Sequence, residues 1–261
     1  WLVGARGLGD VYKKQVLLNV LAHELQSSAH GYELVVDSIF QAVAGVHRRC
    51  LGAYAVVALS AGYGLLAFRD PYGIRPLILG RKPEGMFGCE WIVASESLVL
   101  ESGGYEIVRD VAPGEAVFIT PDGECHTRQC AANPRLVPCS FEYVYLARPD
   151  SVMNGISVYE ARLRPGDRPA ATVARYPPPG DIDVAMPIPD SARPSAMQVA
   201  RRLGVEYREG FFKNRYVGRT FIMPGQEQRA RSQCIHKERE DGRGRGKERD
   251  QAAFRLAANL E

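Results

Sequence analysis

Two clusters of polar residues in the C-terminal third have the types and spacing to hold an anion and a metal ion. In DIDVAMPIPDS at 181–191, Asp190 and Ser191 end a short apolar run interrupted by Pro187 and Pro189. In KNRYVGRTFIMPG at 213–225, Lys213, Arg215, Tyr216 and Arg219 crowd around Gly218. Ammonium and guanidinium donors at that density suit several phosphate oxygens at once. A serine hydroxyl is a hard oxygen ligand of the kind magnesium accepts beside phosphate and water. The chemistry implied is the binding of a phosphorylated ligand with a divalent cation. The plainer alternatives are a helix cap at Ser191 and a solvated basic loop at 213–219.

The elements around these clusters set where they fall. Val184, Ala185, Met186 and Ile188 predict a buried strand, and residues 194–203 predict a helix. Asp190 and Ser191 then lie at a strand's carboxyl end, where open α/β sheets bind ligands. Upstream, apolar runs at 53–59, 65–68, 76–79, 91–94 and 116–119, divided by Gly, Pro and Asp, read as strands. Val16, Leu17, Val20, Leu21 and Leu25, then Val36, Ile39, Phe40, Val43 and Val46, recur at helical spacing. Pro165, Pro169 and the prolines at 177–179 predict an irregular linker over 163–180 with no continuous helix. Residues 232–261 alternate acids, bases and glycines without an apolar period, which predicts a disordered charged tail.

Composition narrows the class. The 261 residues are 46% hydrophobic, enough for one large or two modest domains. A formal charge of +3 is too small for a whole-protein nucleic-acid footprint, so no specific nucleic-acid partner is expected. No apolar stretch reaches the roughly 18 residues of a membrane span, and the first residues do not resemble a signal peptide. Six cysteines without a pairing pattern fit a reducing, cytoplasmic setting. Cys125 and Cys130 have no second pair and give no metal site by spacing.

Several motifs in one order carry a resemblance. FRDPYGIRPL at 68–77, VASES at 93–97, DVAPGE at 110–115, FEYVYLARPDS at 141–151, PIPDS at 187–191 and GFFKNRYVGRTFIMPGQ at 210–226 resemble the glutamine phosphoribosylpyrophosphate amidotransferases. The resemblance runs from about residue 16 to residue 229. It implies an α/β (α+β) chain with an unmatched segment at 1–15 and a partial class II glutamine amidotransferase domain at 16–162. That domain would be the later part of an N-terminal-nucleophile sandwich. The linker at 163–180 and the start of a phosphoribosyltransferase domain at 181–231 would follow.

The reaction implied converts glutamine and phosphoribosylpyrophosphate to 5-phosphoribosylamine, glutamate and pyrophosphate, in purine biosynthesis. By the same resemblance Ser191 joins a magnesium and pyrophosphate shell, and Lys213, Arg215, Tyr216 and Arg219 bind the phosphorylated substrate. Purine nucleotides would inhibit, and the intact protein would be a homo-oligomer.

The chain also departs from the pattern. The family's nucleophile is an N-terminal cysteine acting with its own α-amino group. This chain starts at Trp1, and its cysteines are Cys50, Cys89, Cys125, Cys130, Cys139 and Cys234. Lys13, Lys14 and Gln15 stand where a Ser-Asp-Ser-Glu motif is expected, and no aspartate-rich phosphoribosyl loop follows the basic cluster. No catalytic residue is therefore assigned, and the 261 residues alone are expected to be inactive and poorly stable. Cys139 matches one iron–sulfur ligand of some members, but the partner ligands are not found here, which argues against a cluster.

Two other readings stay open at this stage. One is a non-catalytic remnant that binds nucleotides or pairs with an intact subunit. The other is an asparagine-synthetase-like amidotransferase, because segments like FRDPYGIRPL occur across glutamine amidotransferases. Asp70-Pro71-Tyr72-Gly73 itself reads as a structural turn, with an Arg to Asp pair bracing it.

Overall fold

Leucines at every fourth position give the first helix one apolar stripe. In α1 (Leu8–Ser28), Leu21 and Leu25 are buried, with Leu17 and Val20 packed beside them. Val16 is 59% exposed, so the stripe is narrower than its spacing suggested. Helix α2 (Val36–Arg49) buries Ile39, Phe40, Val43 and Val46. Where the helices cross, a Cβ on Gly45 would stand 1.9 Å from Glu24 Oε2. Glu24 in turn accepts from Arg49 at 2.8 Å. The computed structural model describes residues 8–28, 35–85, 88–175 and 182–211. Two compact units divide the chain, Trp1–Val158 and Tyr159–Glu261.

The helices of the first unit cover one face of an antiparallel sheet. Strands β1 (Ala55–Ser60), β2 (Gly64–Arg69), β6 (Glu115–Ile119) and β7 (Cys125–Gln129) lie in the order β1-β2-β6-β7. Alternation sorts their side chains. Leu66, Phe68, Ala116 and Phe118 join Tyr54 under the helices. Ala67, Val117 and Ile119 point the other way, to Leu77, Leu79 and Val111. Those belong to or flank a second sheet of β3 (Ile78–Gly85), β4 (Gly88–Ala94) and β5 (Glu106–Asp110), in the order β4-β3-β5. The layers are helices, sheet, sheet.

Trp91 packs at the edge of this second core, and its indole N–H donates to Gly123 O at 3.0 Å. Helix α3 (Ser97–Ser102) lays the fully buried Leu100 against β3, where a Cβ on Gly80 would meet it at 2.5 Å. The second sheet does not extend over β1, so Val57 and Leu59 on that face are 41% and 52% exposed.

All five strands expected from apolar runs are present. Strands β5 and β7 carry no such signal, because charged side chains make their contacts. Arg109 of β5 grips Glu115 of β6 with two bonds of 2.6 Å, joining one sheet to the other. Arg128 of β7 reaches Asp37 at 2.5 Å and lies over the Phe40 ring.

His47 is buried between Tyr54 and the backbone. Its Nε2 faces Gly114 O at 3.2 Å and its Nδ1 faces the Tyr54 hydroxyl at 2.8 Å. A carbonyl only accepts, so Nε2 carries the proton and Nδ1 accepts from Tyr54. Burial holds the imidazole's pKa below its ordinary value, against smaller upward pulls from Gly114 and Asp70. Below the ordinary pKa of about 6.5 the unfolded chain binds more protons than the folded one. This contribution is complete above that pH and is lost as pH falls toward the depressed folded value. Urea midpoints should fall across that window, and His47→Gln should flatten the decline.

The second unit is a strand, helix, strand arrangement packed on short helices. Helix α4 (Val158–Leu163) leads through a 3-10 turn (Arg164–Gly166) into α5 (Asp167–Val173). Strand β10 (Val184–Ala185) precedes α6 (Arg193–Leu203) and β11 (Glu206–Tyr207), and the two strands pair in parallel. In the first unit, β8 (Val152–Met153) and β9 (Ile156–Ser157) form a small hairpin.

Two expectations change here. The division falls at 158/159, and residues 164–173 are helical and pack on α6, where an irregular linker over 163–180 was expected; the prolines at 177–179 lie outside the described residues. Pro165 and Pro169 sit in first turns, where an absent N–H costs no hydrogen bond. Asp167 fastens α5 to α6 by accepting from Gln198 at 2.8 Å and Arg202 at 2.7 Å. The strand ahead of PIPDS is two residues long, and Met186 and Ile188 are 39% and 48% exposed, where a buried strand was expected. Among the described residues β10 pairs only with β11, so it has one neighbour to bury against.

Candidate functional site

FRDPYGIRPL forms the most buried polar structure of the first unit. Strand β2 ends in Arg69, 1% exposed, followed by Asp70, fully buried. The Asp70 carboxylate accepts backbone N–H groups of Tyr72 at 3.0 Å, Ile74 at 3.1 Å and Arg75 at 3.1 Å. It thereby folds the turn around itself. Arg69 donates to the carbonyls of Arg75 at 2.7 Å, Gly73 at 2.7 Å and Val111 at 2.8 Å. Asn154 Oδ1 accepts two further bonds of 3.2 Å. Both residues bind backbone, so the turn is braced by two separate sets of bonds where an Arg to Asp pair was expected.

The same corner gathers the other motifs of the first unit. Arg75 pairs with Glu142 of FEYVYLARPDS. Burial pushes the Glu142 carboxyl up from its ordinary pKa, against the downward pull of Arg75. Asn154, in the left-handed region at φ 49°, donates to the Tyr143 hydroxyl at 3.0 Å. Glu96 of VASES accepts from the Ser151 hydroxyl at 2.9 Å and from Arg148 N at 2.9 Å. Val152 N donates to Ser97 Oγ at 2.9 Å. Motifs far apart in sequence converge, but on each other and on backbone. The arrangement is a structural knot, and sequence reasoning missed Asn154 and Glu142 because their partners lie 67 to 85 residues away.

The PIPDS turn has a different character. It leaves the carboxyl end of β10, and Asp190 and Ser191 precede the first turn of α6. Ala192 is the residue that caps α6, and no side chain closes that end, so Ser191 is not the cap that one alternative allowed. Ser191 is partly buried, and among the described residues its hydroxyl has no hydrogen-bond partner. Arg193, in the first turn of α6, reaches Asp190 Oδ1 at 3.5 Å and Glu209 Oε2 at 3.1 Å. Glu209 also accepts from the Tyr207 hydroxyl at 3.2 Å. Neither Arg193 nor Glu209 stood out in the sequence. Lys213, Arg215, Tyr216 and Arg219 lie outside the described residues, as do residues 1–7 and the charged tail at 232–261.

At the PIPDS turn magnesium would meet the Ser191 hydroxyl and the part-exposed Asp190 carboxylate, and the described residues hold no group of three His, Cys, Asp or Glu side chains arranged for a metal. So small a donor set suits magnesium carried by substrate phosphates and water, which uses few protein ligands. The described cysteines are all free thiols, and burial pushes the Cys130 thiol up to about 11. No described helix is long and apolar enough to cross a membrane.

Comparison with known proteins bears on this geometry. No family model matches the chain. Amidophosphoribosyltransferase of Pseudomonas aeruginosa is 54% identical over 218 residues, 84% of this chain and 43% of that protein. The Escherichia coli amidophosphoribosyltransferase is 51% identical over 227 residues, 87% of this chain and 45% of that protein. That of Saccharomyces cerevisiae is 46% identical over 221 residues. Among solved structures, the glutamine phosphoribosylpyrophosphate amidotransferase of Bacillus subtilis, complexed with ADP and GMP, superposes with a TM-score of 0.64 at 32% identity. The superposition covers 86% of this chain and 48% of that one.

The chain thus spans a little under half the length of the curated relatives it matches. Neither the asparagine-synthetase-like reading nor the non-catalytic remnant gains support from these relatives. Over more than four fifths of its length the chain is a homologue of part of the amidophosphoribosyltransferases, and the resemblance carried by PIPDS and KNRYVGRTFIMPG is shown.

Proposed function

We propose that the chain contributes to the amidophosphoribosyltransferase reaction, in which glutamine and phosphoribosylpyrophosphate give 5-phosphoribosylamine, glutamate and pyrophosphate. The observation that carries this reading is the PIPDS turn at the carboxyl end of β10, beside a parallel β11, in a chain 54% identical to such an enzyme. Ligands in open α/β sheets bind at that end.

The helix, sheet, sheet layering of the first unit supports a glutaminase domain of the N-terminal-nucleophile kind over 16–162. The β10, α6, β11 unit supports the start of a phosphoribosyltransferase domain over 181–231. Ser191 Oγ would contribute one ligand to a magnesium ion carried by the substrate's phosphates. When bound, the ion neutralises charge that develops on the departing pyrophosphate. Lys213, Arg215 and Arg219 would offer positively charged donors to the same phosphate oxygens, and Tyr216 a hydroxyl. By the same resemblance the full protein is cytoplasmic and homo-oligomeric. The Bacillus complex with ADP and GMP supports purine nucleotides as its ligands.

Calorimetric titration of the purified chain with phosphoribosylpyrophosphate and magnesium tests the reading. Saturable one-site binding is expected, weakened roughly tenfold in Ser191→Ala, the loss of about 1.4 kcal/mol for one polar ligand contact. Absence of binding, or binding no tighter than that of inorganic phosphate, sinks it. Separate reactions with ammonium and with glutamine then ask whether transfer accompanies binding. Product with ammonium would show transferase chemistry directly.

A further inference from the structure

Arg193 carries an inference beyond the site residues named so far, and it rests on the reading of PIPDS as part of a phosphosugar site. Strands β10 and β11 run parallel, so the segments leaving their carboxyl ends emerge on the same side of the sheet. One segment is the PIPDS turn. The other, from Arg208 to Phe211, leads in sequence to the basic cluster at 213–219. Backbone bonds hold the strands in register only as far as Arg208 N to Ala185 O, at 3.2 Å. Beyond that point Met186 lies against Gly210, and Arg193 adds a polar link between the two segments.

Its guanidinium touches Asp190 in the turn and Glu209 after β11, 3.5 and 3.1 Å away. Glu209 is held from its other oxygen by Tyr207 of β11. Among the described residues the buried Arg193 Nε has no acceptor, a rare state for a buried donor. A planar guanidinium is suited to such a double attachment, because its donors diverge in one fixed plane.

We propose that Arg193 is a positioning residue for the phosphorylated substrate. Shared between Asp190 and Glu209, it ties the Ser191 turn to the segment that precedes the basic cluster. Its role is exerted through the turn, without contact to the substrate.

The test is the affinity of the full 261-residue chain for phosphoribosylpyrophosphate with magnesium, measured by calorimetry beside the thermal midpoint of each variant. Arg193→Ala should weaken binding roughly tenfold or more while the midpoint stays within a few degrees. Arg193→Lys, which keeps the charge and loses the fork, should recover part of that affinity. Glu209→Gln keeps the cation and cuts one arm, so it should also weaken binding, by about threefold to tenfold.

Tighter binding in Glu209→Gln would overturn the proposal, since it would mean that Glu209 withholds Arg193 from direct contact with the ligand. Unchanged affinity in Arg193→Ala would overturn it too. If the unsubstituted chain binds no phosphoribosylpyrophosphate, the site reading itself falls and this inference falls with it. If binding is present and responds to Ser191→Ala but not to Arg193→Ala, only the inference falls.

Discussion

Replacing Arg69 by Met lowers the stability of the first unit by about 3–5 kcal/mol, the cost of breaking a buried charged network by removing one member. The side chain is 1% exposed and supplies every donor that the carbonyls of Gly73, Arg75 and Val111 receive from it. Methionine fills much of the volume and satisfies none of them. Each orphaned buried acceptor costs about 1–3 kcal/mol, offset in part because an arginine no longer has to be desolvated. Since whole domains are stable by about 5–15 kcal/mol, the loss is a large fraction of the total. Arg69→Lys should cost about 2–3 kcal/mol despite keeping the charge, because one ammonium cannot span acceptors that diverge across a fork. Urea midpoints followed by circular dichroism read both. A change under about 0.5 kcal/mol in the Met variant, the range of an ordinary surface substitution, would show that water replaces the guanidinium and that the knot is not structural.

Phe68→Ala should have a comparable effect from the opposite face of the same strand. Phe68 is 1% exposed, and its ring meets those of His47 and Tyr54 edge-on, with centroids 5.9 and 6.1 Å away. Truncation removes the packing on His47 of α2 and on Tyr54 and leaves a cavity. Large-to-small changes at such sites cost about 3–5 kcal/mol. Phe68→Leu should recover more than half of that, because it restores most of the volume. If the two Phe68 variants melt alike, aromatic packing is immaterial there and the core collapses around the gap.

The apolar elements were legible in the sequence because their information is local. Ile39, Phe40, Val43 and Val46 declare a helix face by spacing alone, and 65–68 and 116–119 declare strands between turn residues. Strands β5 and β7 were not legible. Arg109 and Arg128 stabilise them through Glu115 and Asp37, and long-range pairing of charges leaves no periodic trace. The prolines at 165 and 169 read as helix breakers because position within a turn decides their cost, and position is set only once the helix starts are known.

For the candidate site, the family motifs identified the PIPDS turn and the basic cluster. They did not identify Arg193 or Glu209, which are ordinary surface residue types until β10 and β11 pair. Nor did they indicate how Arg69 and Asp70 are used. The residue types suggested an ion pair, whereas each satisfies a separate set of backbone groups.

The indole of Trp91, anchored to Gly123 O at the margin of the inter-sheet core, makes one half of this molecule optically visible. The chain has two tryptophans, both before residue 158, and residues 159–261 carry none. Emission from Trp91 therefore reports on the first unit, while Trp1 lies outside the described residues. A melt followed that way is blind to α5, α6 and the PIPDS turn, and disagreement between emission and far-ultraviolet dichroism would measure how independently the two halves unfold.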